Sequence, residues 1–244
     1  MKQTLFTITE NVPLTETVYK MTLVGDTESI ACGQFVNIKL EGRFLRRPIS
    51  VCDCVGDELT LLYKVVGHGT EQMAKKVVGD ELDVLTGLGN GYNTALCGDS
   101  AVLLGGGVGV PPLYMLAKQL LAQGKNVTVI LGFNTKSEVF YEDEFRALGA
   151  TVRVTTVDGS YGIRGFVTDA LEDVTYDHFF TCGPEPMLKA VYAKTKTSGQ
   201  FSFEERMGCG FGACMGCSCK TITGYKRICK EGPVLQKEEI LWDA

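Results

Sequence analysis

Ala101-Val102-Leu103-Leu104-Gly105-Gly106-Gly107-Val108-Gly109-Val110-Pro111-Pro112 joins an apolar run, a glycine turn and two prolines, and its reading decides the fold. A short continuous apolar run is the mark of a strand buried on both faces. Proline is tolerated in the first turn of a helix, where its missing N–H would have had no partner anyway. From Pro111 to Leu121 the apolar residues recur at helical spacing. Strand, glycine turn and helix in this order is the placement of a dinucleotide phosphate loop, with Gly106, Gly107 and Gly109 as candidate contacts. The uncharged stretch from Ala101 to Ala117 is shorter than the ~20 apolar residues needed to cross a bilayer, so membrane insertion is not expected.

Downstream the alternation continues. Asn126–Leu131 is a second buried run, and the spacing predicts a helix over Ser137–Leu148. Strands are expected over Thr151–Val157, Thr168–Leu171 and His178–Thr181, and a helix over Pro184–Thr197. Strands alternating with helices argue for a parallel sheet covered on both faces, here over residues 99–198. Cys182-Gly183-Pro184-Glu185-Pro186-Met187 repeats the strand–turn–helix logic, which makes Cys182 and Gly183 candidates for a nicotinamide ring. Lys136, after the second strand, can in principle meet a 2′-phosphate, so NAD and NADP are not separated by these residues.

Upstream, residues 1–98 change period. Thr17–Leu23, Gln34–Leu40 and Glu58–Val65 are short, partly alternating runs divided by Gly, Asp and Asn, as in a small antiparallel barrel. Only Gly69–Val78 reads as helical there. Arg46-Arg47-Pro48-Ile49-Ser50 opens one strand: an Arg at a strand end can neutralise pyrophosphate, and a Ser hydroxyl can hydrogen-bond a flavin ring nitrogen. Gly67-His68-Gly69-Thr70 precedes the short helix and can offer amides and the Thr70 hydroxyl to a second phosphate.

After Gly199 the chain is rich in Gly and Cys and poor in apolar residues, so residues 199–244 are expected to need a metal or cross-links. Of ten cysteines, five are dispersed and read as small buried apolar residues; Cys209, Cys214, Cys217, Cys219 and Cys229 are crowded. Cys209-x4-Cys214-x2-Cys217, with Cys229 further on, has plant-type ferredoxin spacing for [2Fe–2S]. Gly208, Gly210, Gly212 and Gly216 permit the loop that must wrap such a cluster. A structural zinc site also takes four thiolates, but zinc ribbons more often show two separate Cys-x2-Cys knuckles. Cys219 is the rival ligand if one assignment fails.

The 244 residues are 45% apolar and 22% charged, with a formal net charge of −5. That balance argues against nucleic acid as a partner, which requires clustered Lys and Arg. The N-terminus shows no signal-peptide pattern, so a cytoplasmic protein with reduced cysteines is expected. His68 and His178 read as structural.

Taken in order, Arg-Pro-x-Ser, Gly-x-Gly-Thr, Gly-Gly-Gly-x-Gly-x-Pro-Pro and Cys-Gly-Pro-x-Pro-Met resemble the ferredoxin–NADP reductase superfamily. The tail Glu204-Glu205-Arg206-Met207-Gly208-Cys209 to Cys217, with Cys229-Lys230-Glu231-Gly232-Pro233-Val234, is similar to the electron-transfer subunits of class 1B dihydroorotate dehydrogenases. The resemblance implies a multi-domain β and α/β chain: an antiparallel FAD-binding barrel, a parallel-sheet NAD-binding domain and a small [2Fe–2S] domain. It implies flavin contacts at Arg47, Pro48, Ile49 and Ser50, at Leu62, Tyr63 and Lys64, and at Gly69 and Thr70, with NAD preferred. It implies a separate FMN-containing catalytic subunit, two of each forming a heterotetramer, with electrons relayed through cofactors and no catalytic acid or base on this chain. Ile49 departs from the superfamily's aromatic at that position, and the chain runs on where many members end in a flavin-covering aromatic. The rivals are an NAD(P)H–ferredoxin-type reductase subunit of a hydrogenase or transhydrogenase complex, and a redox-sensing regulator.

Overall fold

The computed structural model describes residues 1–242. β1 (Lys2–Pro13), β2 (Val18–Val24), β3 (Phe35–Ile38), β4 (Arg47–Val55), β5 (Glu58–Lys64) and β6 (Glu81–Leu88) close into an antiparallel barrel in the order β1-β2-β5-β4-β3-β6. The helix α1 (His68–Ala74) lies between β5 and β6 and ends four residues earlier than its spacing suggested. Alternation sorts the side chains of each strand. In β3, Val36 and Ile38 join Phe6, Met21, Val51 and Leu61 in the barrel core, while Phe35 packs outward. Neighbouring β4 and β5 pair only between Val51–Val55 and Glu58–Leu61, with a bulge between Val51 and Asp53. Beyond that point Arg47–Ser50 pair with β3, and Leu62–Lys64 pair with β2. The two strands therefore diverge and leave a cleft in the barrel wall.

β7 (Ser100–Gly106), α2 (Pro112–Ala122), β8 (Asn126–Phe133), α3 (Glu142–Ala147), β9 (Thr151–Thr156), β10 (Ile163–Arg164), β11 (His178–Cys182) and α4 (Glu185–Lys194) follow. Then come β12 (Gly199–Ser202), the hairpin β13 (Ser218–Thr221) and β14 (Gly224–Arg227), and β15 (Val234–Gln236). One sheet runs β10-β9-β8-β7-β11-β12-β15, parallel throughout except for β15. Three sequence readings are corrected here. The helix expected over 137–148 is broken, because Tyr141 takes a left-handed φ of 65° and its ring packs edge-on against Tyr114 and Phe140. The strand expected over 168–171 is a 3-10 turn at Asp169–Leu171, where the Asp169 carboxylate accepts from the Phe166 amide at 2.7 Å. The helix expected over 184–197 stops at Lys194.

The segment from 199 onward is not a body apart. β12 lies beside β11 within the sheet, so position 198/199 falls between two hydrogen-bonded strands. The cysteine segment has few apolar residues of its own but borrows a core: Phe35, Leu85 and Leu88 of the barrel enclose Cys217, Ile228, Cys229 and Leu235. Each such fully buried large side chain contributes about 1.5–3 kcal/mol. On the opposite flank, α2 packs on β4, and Lys118 Nζ meets Asp53 Oδ2 at 2.6 Å. The barrel strand that borders the cleft is thus tied to the helix that follows the glycine turn.

Candidate functional site

The loop from Cys209 to Cys217 carries no regular structure, and its shape is set by glycine and by amides turned toward sulfur. Cys209 Sγ accepts from the amides of Ala213 at 3.2 Å and Cys214 at 3.4 Å. Cys214 Sγ accepts from the Cys209 amide at 3.5 Å, and Cys217 Sγ from the Cys229 amide at 3.4 Å. Burial pushes the Cys209 thiol up, but the amides of Phe211, Cys214 and Ala213 and the Cys214 thiol together bring it down to about 6. The same groups favour a thiolate ready to bind metal. Burial, and then the neighbouring Cys217 thiol, push Cys229 up to about 12. Contacts therefore pair Cys209 with Cys214 and Cys217 with Cys229. Among the described residues, no three His, Cys, Asp or Glu side chains converge as one ion would require. Two pairs of thiols fit a rhomb in which each of two irons takes two thiolates. Cys219 stands apart on β13; burial and then Glu205 raise its thiol.

The second feature is the cleft between β4 and β5. Arg47, on the β4 side, lies against the start of α1: a Cβ on Gly69 would lie 2.1 Å from Arg47 Nε, so the bare glycine is what seats the guanidinium. Ser50 is half-buried and stands opposite Phe35, on the face that meets the cysteine segment. Pro48 stands opposite Asn37 on that same face, while Ile49 packs into the barrel core. The Thr70 hydroxyl donates to the Gly67 carbonyl at 3.1 Å and accepts from the Val66 amide at 2.9 Å, so it shapes the loop. The Tyr63 ring is buried in the barrel, where its hydroxyl donates to Asn11 Oδ1 at 2.9 Å. Leu62 points the other way, into the core shared with the parallel sheet. Lys64 is half-buried and lines the recess at the end of β5 with Gly107.

The third feature is the carboxyl edge of the parallel sheet. Gly106, Gly107 and Gly109 form the turn after β7, and Cys182 and Gly183 the turn after β11. The two turns touch backbone to backbone: a Cβ on Gly109 would meet the Cys182 carbonyl oxygen at 2.2 Å. Burial of its sulfur pushes the Cys182 thiol up to about 12, with the Ser202 hydroxyl in contact, so it stays a neutral thiol. Gly107, Lys64 and Thr17 line one small recess together, where the end of β5 meets the glycine turn.

A family profile described as the iron–sulfur cluster binding domain of dihydroorotate dehydrogenase B matches residues 204–241, and an oxidoreductase NAD-binding domain profile matches 103–193. The electron transfer subunit of dihydroorotate dehydrogenase B (NAD(+)) from Geobacillus sp. (strain WCH70) is 44% identical, covering 99% of each chain. The subunit of that name from Fusobacterium nucleatum is also 44% identical, covering 96% of each. The chain belongs to this family. Among solved structures, an NADH-dependent reduced ferredoxin–NADP oxidoreductase studied for flavin-based electron bifurcation aligns with a TM-score of 0.88 at 32% identity, covering 98% of this chain and 90% of its own. A ferredoxin–NADP+ reductase from Neisseria gonorrhoeae shares the fold, with a TM-score of 0.68 at 21% identity over 80% of this chain and 90% of its own.

As a member of the dihydroorotate dehydrogenase B electron transfer subunits, the chain holds functional candidates that its sequence did not single out. Glu138 ends the turn after β8, where its Oε2 accepts from the Asn134 amide at 3.1 Å and from Asn134 Nδ2 at 2.9 Å. It lines the recess with Gly107, and no sequence motif marks it. Lys136 Nζ sits 5.6 Å over the Tyr161 ring. A cavity of about 320 Å³ lies between the turn after β11 and the cysteine segment, lined by Glu185, Phe203, Glu205, Cys219 and Trp242. It is separate from the β4/β5 cleft. His178 is buried against Gln200, and burial holds its pKa below the usual value; exposed His68 faces Glu71. No described helix is long and apolar enough to cross a membrane.

Proposed function

We propose that the chain carries electrons between NAD(H) and an FMN-containing dihydroorotate dehydrogenase subunit, with FAD in the β4/β5 cleft and [2Fe–2S] on Cys209, Cys214, Cys217 and Cys229. The observation that carries this reading is the paired arrangement of the four thiols, with Cys209, Cys217 and Cys229 packed against the barrel face. When bound, FAD would exchange electrons with NAD(H) in pairs as hydride and the cluster would pass them singly, the chemistry these cofactors supply.

The residues do the rest by binding and orienting. Arg47, seated on Gly69, neutralises pyrophosphate, and the amides at Gly69 and Thr70 receive a phosphate. The half-buried Ser50 hydroxyl would hydrogen-bond flavin N5. Gly106, Gly107 and Gly109 let the NAD pyrophosphate approach the backbone, and Cys182 with Gly183 faces the nicotinamide. A carboxylate after the second parallel strand receives a ribose hydroxyl, so Glu138 supports NAD over NADP. Cys217 and Cys229 are buried toward the barrel, whereas Cys214 is exposed beside half-exposed Phe211 and Met215, the side on which the partner subunit approaches. We assign two copies of each subunit to the complex and a cytoplasmic location, where the ten cysteines stay thiols or cluster ligands and form no disulfides.

Purification with the FMN subunit under anaerobic conditions tests the reading. Iron, acid-labile sulfide, FAD and dihydroorotate-dependent NAD+ reduction are expected in one complex. Zinc in place of iron, or colourless protein, would end it. The structural likeness to the bifurcating oxidoreductase keeps one alternative: co-purification with a hydrogenase or transhydrogenase partner would favour that class. Within the main reading, Ser50→Ala removes one hydrogen bond worth about 1.4 kcal/mol, so NADH-dependent flavin bleaching should slow about tenfold in stopped flow. An unchanged rate removes Ser50 from that position.

A further inference from the structure

Asn37 is out of place on physical grounds. It sits in the middle of β3 at 1% exposure, and its Oδ1 has no hydrogen-bond partner. A buried acceptor left unpaired costs about 1–3 kcal/mol, and an apolar residue of similar volume would avoid that cost. What the amide adds is one bond: Nδ2 donates to the Cys209 carbonyl at 3.3 Å. Among the described residues this is the one hydrogen bond from the barrel strands to the cysteine loop.

The loop is shaped to receive it. Gly210 has φ +77°, and a Cβ there would lie 2.2 Å from Asn37 Nδ2. The other end of Asn37 is also committed. Its backbone carbonyl accepts from Arg46 Nη1 at 3.2 Å, and the residue stands directly opposite Pro48, in the stretch of β4 that borders the cleft. Arg46 is itself braced by Asp83, with Nη2 2.8 Å from Oδ1. A continuous link therefore runs from Pro48 through Asn37 to the backbone of Cys209.

We propose that Asn37 is a positioning residue that holds the Cys209 end of the cluster loop at a set distance from the flavin strand. On it depends the passage of single electrons between flavin and cluster. The inference rests on the flavin and cluster reading above. In the step concerned, a hydride from NADH would bring two electrons and a proton to the flavin; the electrons would leave one at a time through the cluster to the FMN of the partner subunit, and the proton would leave to solvent, none passing through Asn37.

The test uses the anaerobic complex with Asn37→Leu, which keeps the branched heavy-atom shape and removes both the unpaired oxygen and the bond. Flavin bleaching by NADH should stay within about twofold of wild type, while the reduced-cluster EPR signal in freeze-quenched samples should appear about tenfold more slowly, the scale of outer-shell changes around metal sites. Iron content should be unchanged and the thermal midpoint equal or higher. Asn37→Ser, too short to reach the carbonyl, should show the same division of rates. Cluster reduction as fast as wild type in both variants would overturn the inference, as would equal slowing of both steps. So would loss of iron from both variants, which would make Asn37 a cluster-assembly residue. Wild-type protein without flavin or iron would instead defeat the underlying reading.

Discussion

Cys217→Ala is expected to give a protein that keeps its FAD and loses its iron. The Cys217 sulfur is paired with Cys229 and packed against Phe35 and Leu88, so a replacement thiolate has no route to the same point. Dihydroorotate-dependent NAD+ reduction in the complex should then fall by more than the ~10–100-fold that outer-shell changes cost, because the ligand itself is gone. NADH-dependent dye reduction, which needs only the cleft and the glycine turns, should persist. The chain should stay folded, since Ile228 and Leu235 remain buried against the barrel and β12 and β15 remain in the sheet. Hydrogen exchange should rise in the 208–217 loop alone. Cys219→Ala is the control, because its sulfur lies outside both pairs. Iron retained without Cys217 and lost without Cys219 would transfer the ligand role.

The second large effect is expected at the other end of the site. Gly109→Ala places a methyl group 2.2 Å from the Cys182 carbonyl oxygen and 2.6 Å from the Gly183 Cα. Both are backbone atoms, so no side chain can rotate away and the turns after β7 and β11 must separate. Overpacking of this kind costs about 1–3 kcal/mol, readable as a lower urea midpoint with an unchanged slope. Displacement of a binding loop by about 1 Å can cost around 100-fold in the reaction it positions. NADH-dependent flavin reduction should fall on that scale, while photoreduction of the same flavin and the cluster EPR signal stay as in wild type. Normal NADH kinetics would remove the glycine turn from the nucleotide site.

Periodicity carried the architecture well where one principle ruled. The change from alternating runs before residue 98 to buried runs and helices after it corresponds to the barrel and the parallel sheet. It failed where a tertiary contact overrode local preference. Tyr141 breaks an apolar pattern of helical spacing because its ring is held by Tyr114, which lies far from it in the chain. Gly199–Ser202 read as the start of a separate region because the neighbouring composition is polar and glycine-rich, yet its backbone is the sixth strand of the sheet.

The candidate site divides in the same way. Cys209-x4-Cys214-x2-Cys217, the glycine run at 105–109 and the Arg-Pro-x-Ser stretch are local patterns, legible because a loop around a cluster or a phosphate makes its demands over a few consecutive residues. Which thiol pairs with which and the divergence of β4 from β5 depend on loop shape and strand register, while the reach of Asn37 to Cys209 and the place of Glu138 in the recess with Gly107 join residues 172 and 31 positions apart. No local pattern encodes such meetings. They follow from strand register and from the barrel face that the cysteine segment needs to complete its core, and they exist only once the chain has closed on itself.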